Sequence, residues 1–455
     1  MNGKTGRVCI VGGGPAGMSL ARALKASAIP FDAYERHSDL GGLWDSDNPG
    51  TPIYRSAHFI SSKTKSQFQG FPMPADYPDF PSARQILSYL RAFARAHDLY
   101  PHFKLGTEVR SACLVEGAWE VTLGSGETHH YAALICATGT NWHPSLPHYP
   151  GTFSGEMRHS ASYDSMEEFA GKRVLVIGGG NSGCDIACDA AQAADAAFIS
   201  LRRGYHFIPK RIFGMPADVF GSSGPQLPMW LEQKIFGAML RLLTGDLTKL
   251  GLAKPDHRLF ESHPILNDQL LHHLAHGNIK AKPDVERFDG RIVFFKDGTQ
   301  EEIDLILCAT GYDWKIPYVD AGLFQWNGTR PRLFMSIFNR QTPSLYALGF
   351  IETNGGIYGL LDDMADMIAR AILARSEGGR AAQVLDSMVA DQTVDLSGGI
   401  NFVKSARHEG YVDIHAYQKA LKTLRRRLGW PDLSQHPSAA SHRACTPTAT
   451  VASKP

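Results

Sequence analysis

Two stretches of the chain carry the same order of apolar and polar positions. Each opens on a short, continuously apolar run, breaks into glycines, resumes with apolar residues at helical spacing and ends in a second apolar run. In the first, Arg7 to Val11 (RVCIV) leads into Gly12-Gly13-Gly14-Pro15-Ala16-Gly17, an amphipathic pattern to about Ser27 and the run Phe31 to Tyr34. In the second, Arg173 to Ile177 (RVLVI) leads into Gly178-Gly179-Gly180-Asn181-Ser182-Gly183, an alanine-rich helical pattern and Ala197 to Leu201. A run that is apolar at every position predicts a strand covered on both faces, and these runs are too short for helices. Both stretches therefore predict strand, glycine turn, helix, strand.

The pattern that follows each stretch is also shared. Strand-like runs near Lys104 to Cys113, Trp119 to Leu123 and Tyr131 to Cys136 predict a β-meander that ends in Ala133-Leu134-Ile135-Cys136-Ala137-Thr138-Gly139. Runs near Lys280 to Phe288 and Arg291 to Phe295, with the turn Lys296-Asp297-Gly298-Thr299, lead in the same way to Leu305-Ile306-Leu307-Cys308-Ala309-Thr310-Gly311-Tyr312. The repeat distance is roughly 170 residues, taken from Gly12 to Gly178 and from Gly139 to Gly311. It predicts an α/β chain with two related, Rossmann-type dinucleotide units, hence two dinucleotides.

The chemistry of each turn follows from its residues. The first glycine permits a tight turn, the second lets backbone N–H groups approach a pyrophosphate, and the third lets helix pack on strand. In the first unit Gly12, Gly14, Pro15, Ala16 and Gly17 form the cradle. Glu35, eighteen residues past Gly17, is placed to accept from adenosine ribose hydroxyls, with Arg36 beside it. In the second unit Gly178, Gly180, Asn181, Ser182 and Gly183 form the cradle. Arg202, nineteen residues past Gly183, and Arg203 offer a guanidinium pair to a ribose 2′-phosphate, which favours NADPH over NADH.

Further candidates lie around the first unit. Gly41-Gly42-Leu43-Trp44 allows close backbone approach and supplies a flat apolar wall, which points to the long body of FAD. Thr138 and Gly139 close the first meander on the same side. Phe59 to Phe80 is a long irregular loop of the kind that borders active sites, and Pro81 to His97 reads as a helix with Ser82 as N-cap. Leu345 to Phe350 reads as a buried strand. The turn that follows, with Thr353 and Asn354, precedes a helix from Tyr358 to about Arg375 and can present donors to a flavin. Tyr417 to Leu428 reads as a last basic helix, and the Ser-, Ala-, Thr- and Pro-rich end as a disordered tail.

Charge and composition remove other classes. The 455 residues carry 46 basic against 45 acidic side chains, a balance that excludes a broad field for nucleic acid. The start runs straight into a buried-strand pattern without a secretory signal. Pro228 to Leu243 reads as an amphipathic surface helix, too charged to span a bilayer and a candidate contact with a second subunit or with lipid. Seven cysteines without metal spacing point to a reducing, cytoplasmic location. Cys184 and Cys188 fall on the packed face of the helix after the second turn, which argues against a redox pair. His272, His273 and His276 lack further ligands, and no GxSxG, HExxH or CxxC is present.

Phe153-Ser154-Gly155-Glu156-Met157-Arg158-His159-Ser160-Ala161-Ser162-Tyr163 resembles the FxGxxxHxxx(Y/F) fingerprint of class B flavoprotein monooxygenases, in which Phe153, Gly155, His159 and Tyr163 are the matching positions. Together with GGGPAG, GGLW, SSKTKSQFQGFPMP, GGGNSGCDIA, HPILND and ATGY, the chain from about Arg7 to Ile372 looks like the flavin-containing monooxygenase branch, of bacterial type. The resemblance implies an FAD domain (1–160 and 301–430) interrupted by an NADPH domain (161–300), with 431–455 as the tail. It implies a cycle in which NADPH reduces FAD, O2 adds at flavin C4a, and retained NADP shields the hydroperoxide. One oxygen atom then passes to a small-molecule nucleophile, an amine nitrogen or a sulfide sulfur. His159 is expected to be a hinge or linker residue. The family places Asn three residues before the lysine matched by Lys63, and here Ile60 stands there. Ser61, Ser62 and Lys63 are therefore the expected catalytic loop, with a serine supplying the missing hydrogen bonding and Ile60 the dryness. Asp164 departs from the branch as well and keeps Baeyer-Villiger ketone oxygenation as an alternative, beside an NADPH oxidase or redox sensor.

Overall fold

The computed structural model describes residues 6–224, 227–405 and 407–432. Two sheets organise it, the first parallel except at the edge where Phe338–Asn339 runs antiparallel to both of its neighbours. The first has seven strands in the order Leu333–Phe334, Phe338–Asn339, Leu345–Ala347, Ala133–Cys136, Val8–Val11, Phe31–Tyr34, Phe103–Lys104. The second has five, all parallel, in the order Ile279–Lys282, Ala196–Ser200, Arg173–Ile177, Leu305–Cys308, Glu156–His159.

The apolar runs are strands because each has a core on both faces. Val8 and Ile10 point into a core built with the helices Pro15–Ala26 and Tyr358–Glu377, while Cys9 and Val11 point into another with Trp119, Val121 and Leu123 of the meander. In the second unit Val174 and Val176 pack with helix Asn181–Ala193, whereas Leu175 and Ile177 meet Phe288, Val293 and Phe295. Period-two alternation thus sorts one strand between two layers, and the result is meander, parallel sheet and helix stacked twice. Each fully buried aliphatic side chain contributes roughly 1.5–3 kcal/mol, so these strands and the helices packed on them share in stabilising both units.

The repeat extends to register. Val8 to Val11 pair with Phe31 to Tyr34, and Arg173 to Ile177 pair with Ala196 to Ser200. Ala137 N–H donates to Val11 at 2.9 Å and Ala309 N–H to Ile177 at 2.8 Å.

Several boundaries differ from the sequence reading. The run Tyr131 to Cys136 divides: Thr128–Tyr131 closes the three-stranded meander, and Ala133–Cys136 enters the first sheet. The reason is coverage, since ALIC is apolar at every position and needs both faces buried. Lys280 to Phe288 divides likewise at Pro283, which has no N–H for a ladder: Ile279–Lys282 joins the second sheet and Val285–Gly290 the second meander. Glu156–His159 and Leu305–Cys308 both lie in the second sheet, so by sheet membership the second unit is wider than 161–300 at both ends. Ser82 caps helix Ala83–Ala96 through a capping box with Gln85. The last helix starts earlier than Tyr417, at Ile414, because Asp413 accepts from Ala416 N–H. A further helix, Arg380–Asp391, escaped the sequence pattern. The amphipathic helix is Met229–Thr244. Residues 433–455 of the expected tail lie outside the described residues.

Candidate functional site

The first glycine turn is steric necessity. Gly12 has φ +116°, and a Cβ there would stand 2.5 Å from the Ala137 carbonyl oxygen. A Cβ on Gly17 would overlap the carbonyl oxygen of Gly12. Pro15 opens the helix and Ala16 is buried beneath it. Gly14 faces the backbone of Gly42, whose φ is +61°, so the middle glycine and the Gly41-Gly42 turn form two bare backbone walls.

Glu35 is buried, and its carboxylate accepts from Gly13 N–H at 2.5 Å and His37 N–H at 2.8 Å. The residue expected to meet a ribose thus also shapes the turn, with its remaining lone pairs free for hydroxyls. Arg36 lies over the Trp142 ring at 4.4 Å, and the Trp142 indole N–H donates to the Thr138 carbonyl at 2.7 Å, next to Gly139. Asn48 donates to the Gly42 carbonyl at 3.0 Å, while its Oδ1 is buried without a hydrogen-bond partner among the described residues. A buried amide oxygen left open beside two bare glycines fits a donor from a bound dinucleotide such as FAD. Leu43 and Trp44 complete the turn Gly42–Trp44. The Trp44 ring meets Phe59 edge-on at 4.9 Å, and Phe59 meets Tyr358 at 5.6 Å.

The second turn repeats the backbone with other chemistry. Gly178 has φ +119° and sits on the Ala309 carbonyl; a Cβ on Gly183 would overlap the Gly178 carbonyl oxygen. Asn181 and Ser182 begin the helix. Where the first unit has Glu35, one residue past the strand, the second has buried Leu201, whose side chain lies against Gly179. Arg202 is exposed, and Arg203 is half-buried with its Nε lacking a partner. An orphaned guanidinium N–H beside an apolar Leu201 fits a 2′-phosphate and not a carboxylate-bound hydroxyl. Arg407 brings its guanidinium to 3.3 Å from the ideal Cβ position of Gly180, adding positive charge at the middle glycine. A polar depression of about 550 Å³ lies nearby, lined by Asp256, His257, Arg258 and Glu261. There the hydrogen bond from His257, with a smaller contribution from Arg203, holds the Asp256 carboxyl below its usual range.

The loop Ser61-Ser62-Lys63 is largely bonded to itself. Ser61 Oγ lies 2.5 Å from Ser66 Oγ, Ser62 Oγ lies 3.1 Å from Thr64 Oγ1, and Ser62 N–H donates to Asp218 at 2.7 Å. The Lys63 ammonium donates to the carbonyls of Ala75 at 2.9 Å and Tyr77 at 2.5 Å, which makes it a brace for the loop that follows. Ile60 is 37% exposed. Gly356 lies against the Ser66 hydroxyl, 2.7 Å from its ideal Cβ, so the loop is docked on the turn before helix Tyr358–Glu377. In that turn Thr353 Oγ1 accepts from Gly355 N–H, and the Asn354 side chain is spent on Asp413 at 2.8 Å and Ile414 N–H at 3.0 Å.

The fingerprint residues join the two units. Phe153 packs on Phe288, and Gly155 is pinned between the Phe153 ring and the Asp304 carbonyl. His159 Nδ1 accepts from Ala161 N–H at 3.0 Å; burial lowers the pKa of its ring, which suits a neutral linker residue. The Tyr163 hydroxyl donates to Asp189 at 2.8 Å, and Ser56 of the first unit donates to the same carboxylate at 2.6 Å. The crossings themselves are paired: Ser145 N–H donates to Gly311 at 3.0 Å and Asp313 N–H to His143 at 2.8 Å. Among the described residues no cluster of His, Cys, Asp or Glu could hold a metal, and no helix is long and apolar enough to cross a membrane. Candidates that sequence reasoning missed are Asn48 beside Gly42, Trp142 beside Gly139, Arg407 beside Gly180, and His263 with Tyr411, 2.6 Å apart; only His263 carried a signal, as the head of the HPILND motif.

Comparison with known proteins agrees with this geometry. Residues 5–398 match the family described as FMO-like, Flavin-binding monooxygenase-like. The chain is 34% identical over 380 residues to Flavin-containing monooxygenase 5 of Homo sapiens, covering 77% of this chain and 70% of that protein. It is 32% identical over 368 residues to Indole-3-pyruvate monooxygenase YUCCA1 of Oryza sativa subsp. japonica, covering 78% and 88%. Among solved structures, an open form of cyclohexanone monooxygenase aligns with TM-score 0.71 and 17% identity over 93% of this chain and 97% of that one, a likeness of fold.

Proposed function

From the premise that this chain belongs to the flavin-binding monooxygenase-like family, and is an NADPH-dependent flavin monooxygenase, we propose that it transfers one oxygen atom of O2 to a soft nucleophile, an amine nitrogen or a sulfide sulfur. FAD supplies the reducible ring at which O2 is activated, and NADPH supplies the hydride. We assign FAD to the first unit and NADPH to the second, within the divisions 1–160, 161–300 and 301–430 widened by the strands at 156–159 and 305–308. The observation that carries this assignment is the exchange of Glu35 for Leu201 followed by Arg203 on otherwise matching turns.

Each residue then has a task. Gly12 to Gly17 and Asn48 bind the flavin nucleotide, and Trp44, Phe59 and Tyr358 form an apolar wall that excludes water. Gly178 to Gly183 and Arg203 bind NADPH, with Arg407 above Gly180. Ser61, Ser62 and Lys63 hold the loop against Gly356, so their part is to position and to dry the site. The polar groups of this loop are occupied by protein partners, within the loop and at Ala75, Tyr77 and Asp218. That arrangement suits a substrate that brings its own lone pair and needs no protein base, and it supports the soft nucleophile over a ketone.

A reducing, cytoplasmic location is supported by six described cysteines, all free and five of them buried. A homodimer is supported by helix Met229–Thr244, which exposes Trp230, Ile235 and Leu242.

The test is oxygen-dependent NADPH consumption with methimazole, a thiourea-type soft sulfur nucleophile, and separately with cyclohexanone, with hydrogen peroxide measured alongside. We expect oxygenated methimazole matching the NADPH consumed. Lactone from cyclohexanone alone would replace the proposal with ketone oxygenation, and peroxide alone with an NADPH oxidase.

A further inference from the structure

Buried and half-buried polar groups form a connected path between the two units, and its hydrogens can be placed by elimination. The segment 407–413 runs beside the turn before helix Tyr358–Glu377: Thr353 bridges Val412 in parallel, and Val412 N–H donates to the Glu352 carbonyl at 3.0 Å. The Tyr411 hydroxyl donates its one proton to the Thr353 carbonyl at 2.8 Å. His263 Nδ1 lies 2.6 Å from the same hydroxyl oxygen and must therefore be the donor. His263 Nε2 is then an acceptor, and Asn181 Nδ2 donates to it at 3.3 Å. Asn181 Oδ1 accepts from Leu266 N–H at 3.2 Å, which fixes the amide in the orientation the path requires.

Three hydrogen bonds thus run with one polarity from Asn181 through His263 and Tyr411 to Thr353. The arrangement needs a neutral imidazole, and the surroundings enforce one. Burial first, then the charge of Arg407, pushes the His263 pKa down to about 3. His408 is itself neutral: its Nε2 accepts from His263 N–H at 3.0 Å, its Nδ1 lies 2.8 Å from Ser405 Oγ, and burial with Arg407 lowers its pKa to about 4.

The ends of the path give it meaning. Asn181 is the first helical residue after Gly180, where the second unit's nucleotide phosphates belong. Thr353 heads the turn whose Gly356 supports the Ser61 to Ser66 loop beside the Phe59 and Tyr358 wall. We propose that Tyr411 and His263 are positioning residues that tie the geometry of the second-unit nucleotide turn to the flavin-side turn at Thr353, so that nucleotide bound in one unit is registered at the flavin in the other. This rests on the assignment of FAD to the first unit and NADPH to the second. Arg407 and Tyr411 belong to one short segment, which meets Gly180 with a charge and Thr353 with a hydroxyl.

The experiment uses the flavin-loaded protein and NADP+ as probe. NADP+ affinity is measured by calorimetry, the flavin difference spectrum is recorded at saturating NADP+, and anaerobic flavin reduction is followed at saturating NADPH. In Tyr411→Phe we expect NADP+ affinity within about threefold of the parent, a difference spectrum reduced by more than half, and flavin reduction slowed about tenfold. His263→Gln, which can still accept from Asn181 and donate to Tyr411, should restore most of the signal, while His263→Leu should resemble Tyr411→Phe. A full-amplitude spectrum and parental reduction rate in Tyr411→Phe would overturn the proposal. If Tyr411→Phe does not fold, equal behaviour of His263→Gln and His263→Leu overturns it. A parent protein that holds flavin but shows no NADP+ response removes the two-nucleotide assignment, and the relay falls with it.

Discussion

The turns at Gly12–Gly17 and Gly178–Gly183 are one backbone put to two uses. Strand register, the left-handed first glycine and the contact of the third glycine with the carbonyl of the first are the same in both. The difference begins one residue past the second strand. Glu35 in the first unit ties down Gly13 N–H and keeps acceptor capacity for hydroxyls; Leu201 in the second removes that acceptor, and Arg203 two positions later presents an unpartnered donor. On the assignment proposed above, sterics make both turns fit for a dinucleotide, and a single position with its neighbours selects between the two.

The largest effect should come from the steric half of this comparison. Gly17→Ala drives a Cβ into the Gly12 carbonyl and Gly183→Ala into that of Gly178. We expect Gly17→Ala to yield colourless or insoluble protein, and Gly183→Ala to stay yellow with NADP+ affinity reduced more than about 100-fold, a loss near 3 kcal/mol. Flavin absorbance per protein and NADP+ titration decide this; equal flavin loss in both variants would break the division of labour. Next, Leu201→Glu combined with Arg203→Ala transplants the first unit's chemistry into the second. Steady-state kinetics should show the preference for NADPH over NADH falling by about two orders of magnitude.

Arg203→Ala alone should raise KM for NADPH roughly 10- to 100-fold, since a charge-assisted contact is worth about 1.5–3 kcal/mol, and leave NADH unaffected. Exposed Arg202 should matter less, about threefold. Equal losses for both nucleotides would show that neither arginine reads the phosphate. The smallest effect is acid sensitivity. His263 and His408 have folded pKa values near 3 and 4, below an unfolded value near 6.5. The unfolded chain therefore binds more protons below pH 6.5, and their contribution to stability, complete above that pH, is lost as pH falls toward 4. The melting temperature should drop over this window, less steeply in His263→Gln than in the parent.

The parts of this comparison that were legible in the sequence are those written in local spacing. Runs apolar at every position can only be strands with two covered faces, and the glycine spacing repeats because the same carbonyl collisions recur. Ser82 with Gln85 is a cap readable within four residues. Other features depend on partners far away in the chain. Tyr131 to Cys136 reads as one strand, because nothing local tells that Tyr131 belongs to the meander and Ala133 to the sheet. His263 and Tyr411 are 148 positions apart and share no periodicity. Lys63 was found by its motif, but its role as a brace appears only with the Ala75 and Tyr77 carbonyls in place. The turn at Thr353 and Asn354 is legible as a source of backbone donors, but that Asp413 and Ile414 engage the Asn354 side chain is not.

The paired crossings at His143–Ser145 and Gly311–Asp313 make the second unit a cassette. Its entry and exit run antiparallel and hydrogen-bonded to each other, so the host sheet sees two chain ends already held side by side. Bringing those ends together is the entropic obstacle to inserting a domain, and here the ribbon meets it independently of what lies between. A foreign nucleotide unit with adjacent termini could be grafted between Ser145 and Gly311, leaving the flavin half a scaffold open to exchange of its electron donor.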